Sequence, residues 1–181
     1  MPSSAFYDLD AIEQIAVNLF YGWGYNFYRL ENQLRADDLV IRNQVCSLLG
    51  MARGQVEAAE SAYRRAFLPP PSREKPRHDP EAIANAQALE RLSQAIGALE
   101  GQIRAQPVPE NDRMTQRYRQ EAPTLQKLLE CDMRLTGQAE TLRVLLERKD
   151  GAWMIEKSAE IQEGLKAIET SLRNRQAALF V

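Results

Sequence analysis

The chain has 181 residues, 44% of them hydrophobic and 27% charged, with a formal net charge of -2 and a pI of about 5.6. That length and composition suit one folded domain with a useful core. They exclude a basic nucleic-acid-binding domain, whose phosphate-contacting patch shows in composition, and no apolar run approaches the roughly 20 residues of a membrane span.

The N-terminus, MPSSAFYDLD, lacks the basic and apolar regions of a signal peptide. A cytoplasmic location is therefore expected. Cys46 and Cys131 lie far apart and fit no metal spacing. They read as two buried thiols, with a disulfide or redox pair as the other reading.

Strand signals are nearly absent: there is no alternating β-branched run and no Asn-Gly or Asp-Gly hairpin between two such runs. Residues 8–67 read at intervals of eleven. Ile12, Trp23, Leu34, Val45, Val56 and Phe67 form one column. Leu19, Leu30, Ile41, Ala52 and Tyr63 form a second, and Ile15, Asn26, Asp37, Leu48 and Ala59 a third, less apolar one. An eleven-residue repeat is about 3.67 residues per turn, which keeps a stripe on one side of a nearly straight helix. The phase runs without a slip, so the spacing predicts one helix over 8–67, or two collinear ones, within an N-terminal segment 1–67. Gly22 and Gly24 cost about 1 kcal/mol each against alanine, and close approach of another backbone would compensate.

Inside that segment, LFYGWGYNFYRLE (19–31) concentrates aromatic rings; eight of the thirteen aromatics precede residue 29. At about 100° per residue, Trp23 and Phe27 share the column face, while Val17, Tyr21, Tyr25 and Tyr28 lie opposite. Residues 17–28 are thus apolar or aromatic nearly all round, the pattern of a helix covered on both sides.

Two proline-rich breaks follow, LPPPSREKPRHDP (68–80) and QPVPE (106–110). The first reads as an extended crossover, and a polyproline ligand for a partner is a further possibility. Asp79, Pro80 and Glu81 open a helix over about 81–105, with a stripe of Leu89, Leu92, Ile96, Leu99 and Ile103. Asn111 or Asp112 can cap the next helix, 111–148, kinked or restarted at Pro123. Its stripe runs through Leu125, Leu128, Leu135, Ala139, Leu142 and Leu146. ERKDGAW signals a stop at 149–151, one continuous helix being the alternative. A last helix over 152–178 carries Met154, Ile161, Leu165, Ile168, Leu172 and, just past its end, Leu179. RYRQE (117–121) and RNRQ (173–176) read as exposed faces. The expected fold is all-α: an elongated antiparallel helical bundle, coiled-coil-like, with one very long N-terminal helix, and a single structural domain overall.

Catalytic chemistry is mostly excluded. The single histidine, His78, falls in the crossover, and no Glu-x-x-His pair of a di-metal bundle is present. No phosphate-binding loop exists, and YGWGYN lacks both the third glycine and the preceding strand of a dinucleotide fingerprint. No catalytic, cofactor-binding or metal-binding residue is assigned, and no nucleic-acid partner. The expected interaction surface is Val17, Tyr21, Gly22, Gly24, Tyr25 and Tyr28, because aromatics are enriched at interface cores. Asn26 and Asp37 are polar residues in the seam, a placement that fixes register or pairing. The function expected is a helical interaction protein (adaptor, assembly factor or chaperone-like subunit), homodimeric through the aromatic segment. The alternative is a bundle enclosing a small apolar ligand or cofactor near residues 17–28, possibly enzymatic.

Overall fold

A computed structural model describes residues 5–23, 32–73, 77–106 and 121–179, and the side chains of these except at 32–38, 121–126 and 179. Six helices are described: α1 (Leu9–Trp23), α2 (Asn32–Phe67), α3 (Pro80–Arg104), α4 (Glu121–Leu146), α5 (Gly151–Glu156) and α6 (Ser158–Leu179). No strand occurs among the described residues, and no described helix is long and apolar enough to cross a membrane.

Local chemistry sets the helix ends. The Asp8 carboxylate accepts from Ala11 N at 3.3 Å at the start of α1. Asp79 caps α3, accepting from Glu81 N at 3.0 Å, and Pro80 occupies the first turn, where its missing N–H costs nothing. Pro123 lies in the first turn of α4 for the same reason. Arg148, after α4, adopts φ 57°, the left-handed conformation that ends many helices. Asp150 then caps α5, accepting from Trp153 N at 2.8 Å. The expected last helix is interrupted at Lys157, although Lys157 N still reaches Trp153 O at 2.9 Å.

Paired contacts fix the helix directions. Along α2, Arg42, Cys46, Glu57 and Tyr63 meet Gln106, Glu100, Ser93 and Asn85. α3 therefore runs antiparallel to α2. Arg175 meets Asp132 and Ser171 meets Gln138, so α6 runs antiparallel to α4. α2 packs on α3 and α4, and α4 packs on α6; α5 lies against the far ends of α2 and α3. The core between them holds Ile41, Val45, Leu49, Val56, Leu89, Ile96, Ile103, Leu135, Leu142, Leu146, Met154, Ile161 and Ile168. Fully burying one such side chain stabilises the fold by roughly 1.5–3 kcal/mol.

The long helix expected over 8–67 is not what forms. α1 has 15 residues and α2 has 36, and the two are not collinear. In one straight helix Ile12 would lie about 45 Å from Arg42. Instead Ile12 packs on Gly137 of α4, about five residues, or roughly 7 Å, from Asp132. Asp132 in turn belongs to the same buried cluster as Arg42. The two helices are therefore set apart rather than end to end, and both pack on α4. The columns hold within each helix: Ile12, Val45, Val56, Ile41, Ala52, Tyr63, Leu48 and Ala59 are all buried. Ile15, Leu19 and Trp23 are half-buried, and Phe67, at the end of α2, is 55% exposed.

Candidate interaction surface

α1 buries Ile12, Ala16 and Phe20 on one stripe, with Leu19 and Trp23 packed beside them. The Phe20 and Trp23 rings stand 5.8 Å apart. Among the described helices α1 packs principally on α4. The opposite side carries Asp10, a Gln14–Asn18 hydrogen bond of 3.2 Å, half-buried Val17 and Tyr21. Tyr21 is 73% exposed and Leu9 50%. Of the expected surface, then, Val17, Tyr21 and Gly22 lie together on the outer part of α1. Gly24, Tyr25, Tyr28 and the seam residue Asn26 lie outside the described residues. Asp37 falls in the first turns of α2, with its side chain outside them.

Among the described residues nothing makes the expected close approach at Gly22: a Cβ built there meets none of their atoms within 4 Å. The tight places are elsewhere. A Cβ on Gly137 would sit 2.5 Å from both the backbone O and Cγ2 of Ile12. One on Gly164 would sit 2.5 Å from the Phe6 ring. Gly137 therefore lets α1 lie directly on the backbone of α4, and Gly164 seats the ring that leads into α1. Gln138 Nε2 donates to Phe6 O at 3.1 Å and completes this anchor.

A second feature lies inside the protein. Arg175, only 1% exposed, donates from Nε to Asp132 Oδ1 at 2.6 Å and from Nη1 to Gln106 Oε1 at 3.2 Å. Arg42 Nη1 donates to Gln106 O at 2.7 Å. Ser171 donates to Gln138 Oε1 at 2.7 Å nearby. This cluster ties the end of α3 to α2, α4 and α6. Its centre is a buried charge pair that joins α4 to α6. RNRQ was expected as an exposed face, and Arg175 corrects that reading. The signal was present in the stripes. Gln106 follows Ile103 by three, Asp132 follows Leu128 by four, and Arg175 follows Leu172 by three. Asp132 and Arg175 occupy the next inward positions of their helices, and Gln106 continues the α3 stripe just past its end.

The remaining reactive groups are quiet. Burial raises the Cys46 thiol, whose Sγ lies 3.7 Å from Glu100 O, against the lowering effect of Arg104. Burial also raises Cys131, and the neighbouring Asp132 charge adds to it. Neither thiol resembles an activated nucleophile. Among the described residues no three His, Cys, Asp or Glu side chains gather as a metal site. A groove of about 230 Å³ opens between α3, α5 and α6, floored by Leu89, Leu92, Met154 and Ile155 and rimmed by Arg91 and Gln162. None of the residues lining it belongs to α1. No family model, curated relative or solved structure matches the chain.

Proposed function

We propose that this chain is a non-catalytic helical interaction protein, an adaptor, assembly factor or chaperone-like subunit, that self-associates through the outer side of α1. The observation that carries the reading is the mismatch between the composition of α1 and its cover. Leu9, Ile12, Ile15, Val17, Leu19, Phe20, Tyr21 and Trp23 give it apolar groups around most of its circumference. Among the described helices, α4 supplies its main packing. A helix apolar all round is normally buried all round, and tyrosine suits such a surface because its ring buries area while its hydroxyl stays at a wet rim. The alternating directions of α2, α3, α4 and α6 support an antiparallel bundle as the frame. The free thiols Cys46 and Cys131 suit a reducing cytoplasm.

Sedimentation equilibrium over a wide concentration range tests the proposal, on the wild type and on a Val17→Ser, Tyr21→Ser variant. A wild-type dimer that the variant weakens, with unchanged helical circular dichroism, is the expected outcome. A monomeric wild type, or a variant that unfolds without altering association, would refute it.

A further inference from the structure

The crossover between α2 and α3 is far longer than its task requires. Tyr63 and Asn85 touch at 3.2 Å, so the two helix ends lie side by side. Neighbouring helix axes stand about 8–10 Å apart, a gap that three or four extended residues bridge at about 3.1 Å each. Residues 69–78 number ten, enough for roughly 30 Å in polyproline geometry. Both ends are pinned: Leu68 N bonds Arg64 O at 2.9 Å with its side chain against the core, and Asp79 caps α3.

Covalent chemistry fixes what the first part of that excess looks like. Leu68, Pro69 and Pro70 each precede a proline, which disfavours the helical region and pushes them into extended or polyproline geometry. The rings hold φ near -65° at Pro69, Pro70 and Pro71. The stretch is therefore a preformed turn of polyproline helix, with its conformational entropy already lost. Pro69, Pro70, Pro71, Ser72 and Arg73 are all exposed. Prolines cannot donate from the backbone, so Pro69, Pro70 and Pro71 offer only carbonyl acceptors. Arg73, two residues past the last ring, has no ion pair among the described residues, and neither has Arg65 in the last turn of α2.

We propose that Pro69–Arg73 is a docking ligand for a partner domain whose groove is lined by aromatic side chains and edged by carboxylates. Stacked aromatic rings receive the pyrrolidine faces, indole N–H or tyrosine O–H groups donate to the proline carbonyls, and an acidic rim pairs with Arg73. The net charge of the crossover, +1 over residues 68–80, is complementary to such a rim. This site is independent of the outer side of α1.

The test titrates the full chain against purified WW and EVH1 domains, established aromatic-groove readers of polyproline, by fluorescence anisotropy at low and moderate salt. At least one domain should bind, and Pro70→Ser with Pro71→Ser should weaken it at least about tenfold, a loss of about 1.4 kcal/mol. Arg73→Glu should weaken it several-fold and flatten the salt dependence. Thermal melts of these loop variants should match the wild type, and Tyr21→Ser should leave domain binding unchanged. No domain binding tighter than about 1 mM, or binding indifferent to the proline changes, would overturn the proposal.

Discussion

α1 and α2 are cut from one unbroken eleven-residue pattern, yet they occupy different positions in the fold. α2 is bounded by α3, α4 and α5 and feeds Arg42 into the buried polar cluster. Among the described helices α1 rests mainly on α4, held by the Gly137 contact, the Phe6 ring over Gly164 and the hydrogen bond from Gln138 to Phe6 O. The pattern identifies correctly which face of each helix turns inward. It carries no information on whether the chain between them runs straight, because a stripe restarts in phase after a break as readily as it continues. The difference teaches that α2 belongs to the frame and α1 is an attached element with its own outer side.

The largest expected effect concerns the frame. Asp132→Ala removes the carboxylate to which the buried Arg175 guanidinium donates, and should cost roughly 3–5 kcal/mol. Replacing both partners by apolar residues, Asp132→Leu with Arg175→Met, should recover most of that loss. Urea titrations of the single and double variants check this. A single variant near wild-type stability would remove the cluster from its central place.

The attachment of α1 should be sensitive at one glycine and tolerant at another. Gly137→Ala forces a Cβ against the Ile12 backbone and should destabilise by about 1–3 kcal/mol, with earlier hydrogen exchange in α1 than in α2. Gly22→Ala, in open space, should be neutral or stabilising by up to about 1 kcal/mol. Opposite responses sharpen the comparison; equal ones break it.

On α2 itself, Gly50 and Gly54 are also open. Alanine at either should stabilise by up to about 1 kcal/mol through helix propensity alone, read as a raised urea midpoint. A loss at either position would reveal a neighbour on that side of the helix.

The smallest effect is on pH. Burial raises both thiol pKa values in the fold. The folded chain therefore holds its thiol protons to higher pH than the unfolded chain. That contribution is complete below the ordinary thiol range, about 8.5, and is lost as pH rises through the raised folded values. Stability should fall above that range, less so in a Cys46→Ala, Cys131→Ala background, and native alkylation should be slow. Rapid labelling of folded protein at neutral pH would contradict the burial argument.

The sequence made the helical class and most inward faces legible, because the apolar spacing is set by local geometry. The buried cluster was legible in principle: Gln106, Asp132 and Arg175 stand in stripe positions, and reading only apolar residues hid them. The separate placement of α1 was not legible, since it depends on packing with α4, over a hundred residues away. Gly137 was missed for the same reason, while Gly22 and Gly24 drew attention by their aromatic setting.

The most direct measurement of the separate placement of α1 is a distance between it and α2. Spin labels at Ala11→Cys and Ser47→Cys, in a Cys46→Ala, Cys131→Ala background, can be read by double electron–electron resonance. α1 and α2 pack on the same helix, α4, with axes each about 8–10 Å from it. The expected label separation is below about 35 Å. A separation near 54 Å, the length of 36 residues at 1.5 Å each, would restore the single straight helix and remove the exposed outer side of α1 as described.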